Sequence, residues 1–287
     1  MTHPPPALEA LTDLVRRLER DGLVRPREGE GGRAPAAIAT GWSGLDGRLG
    51  TFEGAPGLAR GALHEWIGLT DGAERLRGAA WSPPLTLLAH LAARALDERL
   101  ARGGGHDSSG SVLWIGRAVW PYAATLLAAD TLREHAPGAL GAPGSPGAPG
   151  APAGDLERER EHELTLELAL DERPCPDPAA ERALFACSLF IAPSDAAGRL
   201  WAVDAALRCP TVTAVVADAS GFDMAATRRL ALAANTGEAL ALLARPPREA
   251  GALSAAATRW QVTRAGDSLA PRWRLTLLRA KPPQRRT

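Results

Sequence analysis

Lysine is almost absent from this sequence. A single lysine, Lys281, lies near the C-terminus, and all the remaining lysine-or-arginine positions are arginine. This limits the phosphate chemistry open to the chain, because a phosphate loop of the usual kind places a lysine on the terminal phosphates of a nucleotide. Arginine is a wide planar fork and does not fill the same cradle as a point charge.

Cysteine, net charge and long apolar runs are also scarce. The three cysteines, Cys175, Cys187 and Cys209, form no CxxC pair, so their spacing indicates neither a zinc site nor a disulfide framework, but buried thiols. The formal net charge is +0, which predicts no overall attraction to nucleic acid or membrane. No run approaches the roughly 18 apolar residues of a membrane span, and the N-terminal stretch lacks a signal-peptide core. We therefore expect a soluble, cytoplasmic protein with no membrane partner.

Short apolar segments alternate with amphipathic segments from residue 38 onward. The spacing predicts strands at 62–68, 111–116, 188–193, 211–218 and 239–246, and helices at 84–101, 120–134, 195–208 and 223–235. Such alternation is typical of an α/β fold with a mostly parallel central sheet and helices on both faces. Two later segments, 258–265 and 271–280, alternate at period two and predict a small antiparallel extension at the C-terminal edge of the sheet.

The chain divides into an arm, a main domain and a tail. Residues 1–36 predict a helical arm and a linker, since leucines recur at helical spacing before a stretch rich in glycine and proline. Residues 37–281 form the main domain, with a flexible Gly/Pro/Ala insertion at 136–154. Residues 155–182 stay ambiguous: a charge run precedes alternating leucines from Leu164 to Leu170 that favour a strand. Residues 282–287 are expected to be a disordered tail.

Two groups of motifs carry a family resemblance. Residues 38–68, "IATGWSGLDGRLGTFEGAPGLARGALHEWIG", resemble the opening of the RecA-type recombinase core. The matching positions are Thr40, Gly41, Leu45, Asp46, Gly61 and Glu65. Later motifs resemble the ImuA family of RecA-like accessory proteins. They are Phe222-Asp223, Arg228-Arg229-Leu230, Leu240 to Leu243 and Thr258-Arg259-Trp260. The resemblance covers about residues 38–281, apart from 136–182.

The resemblance implies a RecA-like core and a role in damage-induced mutagenic translesion DNA synthesis. The implied partners are an ImuB-like polymerase homologue that lacks activity and an error-prone C-family polymerase. RecA itself is a further candidate partner, and weak contact with DNA is another. A location at the nucleoid during DNA damage would follow.

The phosphate-loop position of the RecA-like core would fall at Gly68, Thr70 and Gly72. The glycines and the hydroxyl suit such a loop, but its lysine is missing. After the second strand, where RecA-type enzymes carry an acidic residue, this chain has Gly116 and Arg117. An arginine stays protonated and cannot act as a general base. We expect a degenerate site with no catalytic residue, no cofactor and no nucleotide hydrolysis.

Two further polar residues have competing interpretations. Asp218 ends a predicted strand and is a candidate magnesium ligand, but carboxylates at strand ends also serve as turn or cap residues. Asp223 is predicted to be a helix N-cap. The histidines lack the spacing of metal ligands, and His64 is predicted to be a packed or edge residue, so no metal site is expected.

Interaction surfaces are predicted in two places. Leu11, Leu14 and Leu18 form the apolar stripe of the N-terminal arm, our first candidate for contact with a RecA-like partner. Arg259, Trp260, Trp273 and Arg274 alternate in the C-terminal hairpin, a pattern used by protein interfaces and by nucleic-acid interfaces. The competing interpretation of this strip is a half-buried edge hairpin with solvated arginines. Trp66 and Trp114 are predicted core residues.

Three functions follow from these observations. The first is a non-catalytic RecA-like adaptor in a mutagenic polymerase complex. The second is an active, DNA-stimulated RecA-like ATPase with an unusual loop. The third is a cell-division inhibitor related to SulA, whose fold is a shortened RecA-like domain.

Overall fold

The computed structural model describes residues 37–49, 51–52, 55–69, 81–102, 110–121, 164–169, 184–264 and 272–280. Several predictions concern other residues. The N-terminal arm with Leu11, Leu14 and Leu18, the insertion at 136–154 and the C-terminal tail lie outside this part of the chain, as does most of the predicted helix at 120–134.

Eight strands form the central sheet. In chain order they are β5 (Leu63–Ile67), β6 (Ser111–Ile115), β7 (Leu164–Ala169), β8 (Ser188–Ile191), β9 (Val212–Asp218), β10 (Leu240–Arg245), β11 (Thr258–Arg264) and β12 (Arg272–Ala280). Their spatial order is β7-β12-β11-β5-β10-β9-β6-β8. Neighbours from β11 to β8 pair in parallel, whereas β12 pairs antiparallel with both β11 and β7. The predicted mostly parallel α/β sheet is therefore confirmed.

Two small ribbons precede the sheet. Strand β1 (Ala37–Ile38) pairs antiparallel with β4 (Leu58–Ala59), and β2 (Thr51–Phe52) pairs antiparallel with β3 (Ala55–Pro56). A buried turn follows β1: the Asp46 carboxylate accepts hydrogen bonds from the amide and the hydroxyl of Thr40, both at 2.8 Å. The Thr40 carbonyl in turn accepts a 2.7 Å hydrogen bond from His90. These contacts fasten the start of the domain to the helix that carries His90.

Four α-helices belong to the described residues: α1 (Ser43–Leu49), α2 (Leu85–Arg102), α3 (Ala196–Arg208) and α4 (Met224–Gly237). Asp195 caps α3 by accepting from the Gly198 amide, and Asp223 caps α4 by accepting from the Ala226 amide. The predicted N-cap role of Asp223 is confirmed. Trp120, where a helix was predicted to begin, has an extended backbone instead and follows a single 3-10 turn, Arg117–Val119.

The C-terminal hairpin does not end the sheet. β7 pairs with β12 from Leu164 to Ala169, so β7 takes the outer position. This confirms the strand interpretation of the alternating leucines. It also corrects the prediction that the hairpin forms the sheet edge, because a pairing across more than a hundred residues of chain leaves no local signal.

The core has one layer on each face of the sheet. One layer packs around α2 and contains Trp66, Trp114 and Trp260, all fully buried. The other packs under α3 and α4 around apolar side chains of β9 and β10. All six residues of β10 are buried, which fits a central parallel strand covered on both faces. The prediction that Trp66 and Trp114 are core residues is confirmed.

None of the helices in the described ranges is both long enough and apolar enough to cross a bilayer.

Candidate functional site

The segment after β5 begins at the position where the family resemblance implies a phosphate loop. Gly68 continues the strand by donating its amide to the Arg245 carbonyl at 2.9 Å. Leu69 then pairs antiparallel with Ser82, so the returning chain lies against the outgoing one. A Cβ atom at Gly68 would stand 2.5 Å from the Ser82 carbonyl oxygen and 2.6 Å from the Trp81 ring. Glycine is therefore required here by close backbone packing. Thr70 and Gly72 lie outside the described residues.

The entrance to α2 has few free backbone donors. A phosphate loop works by converging backbone N–H groups at the start of a helix. Here Ser82 donates to the Leu69 carbonyl at 3.5 Å and Leu85 donates to the Pro83 carbonyl at 2.8 Å. Pro83 and Pro84, between them, carry no N–H group at all. Four consecutive residues at the helix entrance thus offer an anion no free amide.

The spacing between strand and helix also departs from a phosphate loop. β5 ends at Ile67 and α2 begins at Leu85, so residues 68–84 separate them. The phosphate-loop motif holds about eight residues between the two elements. The segment from 68 to 84 is about twice that long, its two ends are joined by the Leu69–Ser82 pair, and residues 70–80 within it lie outside the described part of the chain.

The end of β6 carries no carboxylate. Gly116 has φ 94° there, in the left-handed region that favours glycine, and Arg117 is exposed. A Cβ atom at Gly116 would stand 2.8 Å from the Cβ of Asp218. The close approach of these two strand ends explains the glycine, and the position that would hold a general base holds an arginine.

Asp218 uses its carboxylate within a turn. Its Oδ1 accepts hydrogen bonds from the Ser220 amide at 3.0 Å and the Ser220 hydroxyl at 2.6 Å. Arg199 stands 4.0 Å from Oδ2 and donates to the backbone carbonyls of Asp218 and Ser220. These are the contacts of a turn residue after a strand. Arg199 already places one positive charge beside the carboxylate, and a magnesium ion bound there would be a second. The alternative role as a magnesium ligand stays a hypothesis.

A buried ion network lies in the neighbouring strands and was not predicted. Glu65 on β5 is fully buried. Its Oε1 accepts from Arg245 at 2.9 Å and from the Ser254 hydroxyl at 2.6 Å, and its Oε2 accepts from Arg259 at 2.7 Å. Arg245 also binds Glu249 at 2.8 Å. Two carboxylates and two guanidinium groups therefore balance in charge, as burial of ions requires.

The network also orders the segment after β10. Arg259 donates to the carbonyl oxygens of Ala252 and Glu249 at 2.8 and 3.2 Å. Arg245 donates to the Phe222 carbonyl at 2.6 Å. Glu65 thus fixes three adjacent strands and the segment 246–257. In the sequence, a charged residue between Leu63 and Ile67 of a predicted buried strand was the single hint of this role, and the partners of Glu65 are up to 194 residues away.

The predicted arginine–tryptophan interaction strip is corrected at three of its four positions. Trp260 is fully buried and stacks on Trp66 with a centroid distance of 5.9 Å. Trp273 is buried on the same side of the sheet, and Arg259 is buried in the ion network. Arg259 and Trp260 are consecutive, so their side chains lie on opposite faces of β11, and both are buried; alternation here therefore separates two covered faces. Arg274 alone is exposed.

His64 is a packed residue, as predicted. Its ring nitrogens lie 2.9 Å from the Thr258 hydroxyl and 2.9 Å from the Ala59 carbonyl. Burial lowers the pKa of His64 to about 4, and the hydrogen bond to Ala59 opposes that shift. The ring is therefore neutral at neutral pH and joins β5 to β11 and β4.

Metal ligands do not assemble in the described part of the chain, where no group of three histidine, cysteine or acidic side chains could hold a metal ion. The groups that the structure describes at the strand ends already make contacts within the protein. Gly68 meets the Ser82 backbone and the Trp81 ring, Gly116 meets the Asp218 side chain, the Asp218 carboxylate closes a turn, and residues 82–85 have no free amide. In comparisons with known proteins, the chain matches no protein-family model and no curated protein sequence.

Proposed function

We propose that this protein is a non-catalytic adaptor with a RecA-like core, acting in damage-induced mutagenic translesion DNA synthesis. The observation that carries the non-catalytic part is the entrance to α2. Residues 82–85 offer no free backbone N–H, and the only lysine of the chain lies near the C-terminus. Phosphoryl transfer depends almost wholly on such positioning and charge stabilisation, so the lack of free amides at residues 82–85 and of a nearby lysine supports the proposal of an adaptor without nucleotide hydrolysis.

The architecture supports the RecA-like part of the proposal. A central parallel strand, β5, leads into the loop position, and a long helix, α2, follows it. An antiparallel extension adjoins β11, as the period-two alternation of 258–265 and 271–280 predicted. Glu65, one of the residues that carry the resemblance, is the centre of the buried ion network.

The partners in this proposal are an ImuB-like polymerase homologue, an error-prone C-family polymerase and RecA. They come from the family resemblance of the sequence, and the cytoplasm is the compartment that fits them. An adaptor needs a rigid core and exposed docking surfaces, and it needs no turnover.

Calorimetry and co-purification test the two parts separately. We expect the full-length chain to show no magnesium-dependent ATP binding and no ATP turnover, with or without single-stranded DNA. We also expect it to co-purify stably with the ImuB-like protein of the same organism. Replacing Thr70 should leave that complex intact.

Clear ATP hydrolysis would refute the adaptor and favour the ATPase. The result would be decisive if the Asp218→Ala variant lost this hydrolysis and still had the circular dichroism spectrum and melting temperature of the wild type. A matched control is Asp223→Ala, which removes a carboxylate that caps α4 and is not the candidate magnesium ligand. Binding to the cell-division GTPase, without binding to the polymerase homologue, would instead favour the SulA-like inhibitor.

A further inference from the structure

Exposed apolar side chains concentrate around α4. Six large hydrophobic side chains are exposed among the described residues, and three of them lie here. Leu232 is 62% exposed, Met224 is 37% exposed, and Leu253 is 71% exposed on the segment after β10. The Ala255 amide donates to the Thr227 hydroxyl at 3.1 Å, which holds that segment against the first turns of α4. Apolar exposure on a rigid support marks an interaction surface.

The exposed side chains of α4 form a row along the helix axis. Met224, Arg228 and Leu232 follow one another at four-residue intervals, so they share one face at steps of about 6 Å. A ridge of this kind packs into the groove of another helix. The spacing therefore fits a helical partner.

The row has positive charge on both sides of Leu232. α4 contains no acidic residue, and Arg228 and Arg229 precede Leu232 by four and three positions. Arg229 binds Asp204 at 3.0 Å, and Asp204 also binds Arg208 at 3.2 Å. Both of these arginines are about half exposed, at 49% and 48%. Arg208 and Arg229 thus share Asp204, and Arg228 adds a third exposed arginine within the row. Because Asp223 and Glu238 lie at the two ends of α4, the excess positive charge is in the middle of the helix, beside Leu232.

These charges distinguish three candidate partners for this surface: a second copy of the chain, a nucleic acid and a helix of another protein. A second copy related by a two-fold axis through the middle of the row would set Arg228 against its own counterpart, which is repulsive. A phosphate backbone would leave Leu232 and Leu253 without apolar contacts and would meet Asp204. A helix with an apolar stripe flanked by aspartate or glutamate satisfies both the leucines and the arginines.

We propose that the α4 surface, comprising Met224, Arg228, Leu232 and Leu253, docks an acidic amphipathic helix of a partner protein. This inference rests on exposed side chains and their charges, and it uses nothing from the loop after β5. ATP turnover would refute the adaptor function and leave this surface as it is.

Fluorescence anisotropy with designed peptides tests the proposal. The probes are two labelled 18-residue helical peptides with the same leucine stripe, one flanked by glutamates and the other by lysines, and a 20-nucleotide single strand of DNA. We expect the full chain to bind the glutamate peptide at least tenfold more tightly than the lysine peptide. Leu232→Asp should weaken this binding about tenfold or more, and Arg228→Glu should remove the preference for glutamate.

The control variant is Leu278→Asp, which makes the same change at an exposed leucine of β12 outside the α4 surface. It should bind the glutamate peptide like the wild type. Melting curves confirm folding, and Leu232→Gln serves if Leu232→Asp melts early. No binding of the glutamate peptide, or equal loss in Leu278→Asp, would overturn the proposal. A dimer in sedimentation that Leu232→Asp dissociates would assign the surface to a second copy. Tight DNA binding lost in Arg228→Glu would assign it to nucleic acid, and both results overturn the proposal.

Discussion

The buried ion network makes a sharp prediction for Glu65→Gln. The substitution keeps the size of the side chain and removes one negative charge from a fully buried site. Glutamine also brings an NH2 group that can only donate. One carboxylate oxygen of Glu65 faces Arg245 and Ser254, and the other faces Arg259. Whichever way the amide is oriented, its NH2 group therefore meets a guanidinium group.

The expected loss follows from the burial of the partners. Arg245 is 1% exposed and Arg259 is 7% exposed at the side chain, so water cannot replace the missing charge. Removing one member of a buried ion pair costs about 3–5 kcal/mol, because it leaves an uncompensated charge inside the protein. Glu249 stays paired with Arg245 and offsets part of this cost. We expect Glu65→Gln to lower the free energy of unfolding by about 3 kcal/mol or more.

Urea unfolding at pH 7, followed by tryptophan fluorescence, measures this loss, since Trp66 and Trp260 stack in the adjoining core layer. Glu98→Gln is the matched control, because Glu98 is 25% exposed where it pairs with Arg60 at 3.0 Å. Because water reaches Glu98 more easily than the fully buried Glu65, although Arg60 is only 7% exposed, we expect this variant to lose less stability than Glu65→Gln, about 1–2 kcal/mol. If the two variants lose similar stability, the buried network does not have the role assigned to it.

Three further predictions concern single residues. Gly116→Ala should lower the free energy of unfolding by about 1–3 kcal/mol in thermal melts, because alanine is strained at φ 94° and its Cβ would approach Asp218. The control, Gly47→Ala on α1, has open space for the methyl group and should be neutral or stabilising. The stability that neutral His64 provides should be complete above pH 6.5 and should decline by about 3 kcal/mol as the pH falls to 4, because burial lowers its folded-state pKa to about 4; a His64→Gln variant that shows the same decline in urea midpoints would contradict this. Asp223→Ala should cost about 1 kcal/mol in urea unfolding through loss of the α4 cap, and an unchanged midpoint would contradict that role.

The sequence patterns that predicted the fold correctly were local ones. Each central strand is a short apolar run, and burial on both faces of a parallel sheet produces that run directly. The N-cap at Asp223 is likewise decided within four residues of chain. Boundaries differ from the prediction by only a residue or two at most elements, such as α4 at Met224–Gly237 against the predicted 223–235.

The predictions that failed depended on contacts between distant segments. Arginine and tryptophan alternate in β11 as they would in an exposed interaction strip. Arg259 is buried only because Glu65, far away in sequence, stands beside it in the adjacent strand. Trp260 is buried because Trp66 lies next to it on the other face. Period-two alternation gives the two faces of a strand and does not say what covers them.

The placement of the buried charges connects the ion network to the α4 surface. Burying two carboxylates and two arginines is costly, and a core of apolar residues would often be equally stable. The ions instead fix the position of the segment after β10. Arg259 donates to the Ala252 carbonyl and the Ser254 hydroxyl donates to Glu65, so both neighbours of the exposed Leu253 are hydrogen-bonded. At the ends of β6 and β9, by contrast, Gly116 packs against Asp218 and the Asp218 carboxylate closes a turn. The buried polar contacts around Glu65 thus order the segment beside α4, which is the surface that we propose for docking a partner.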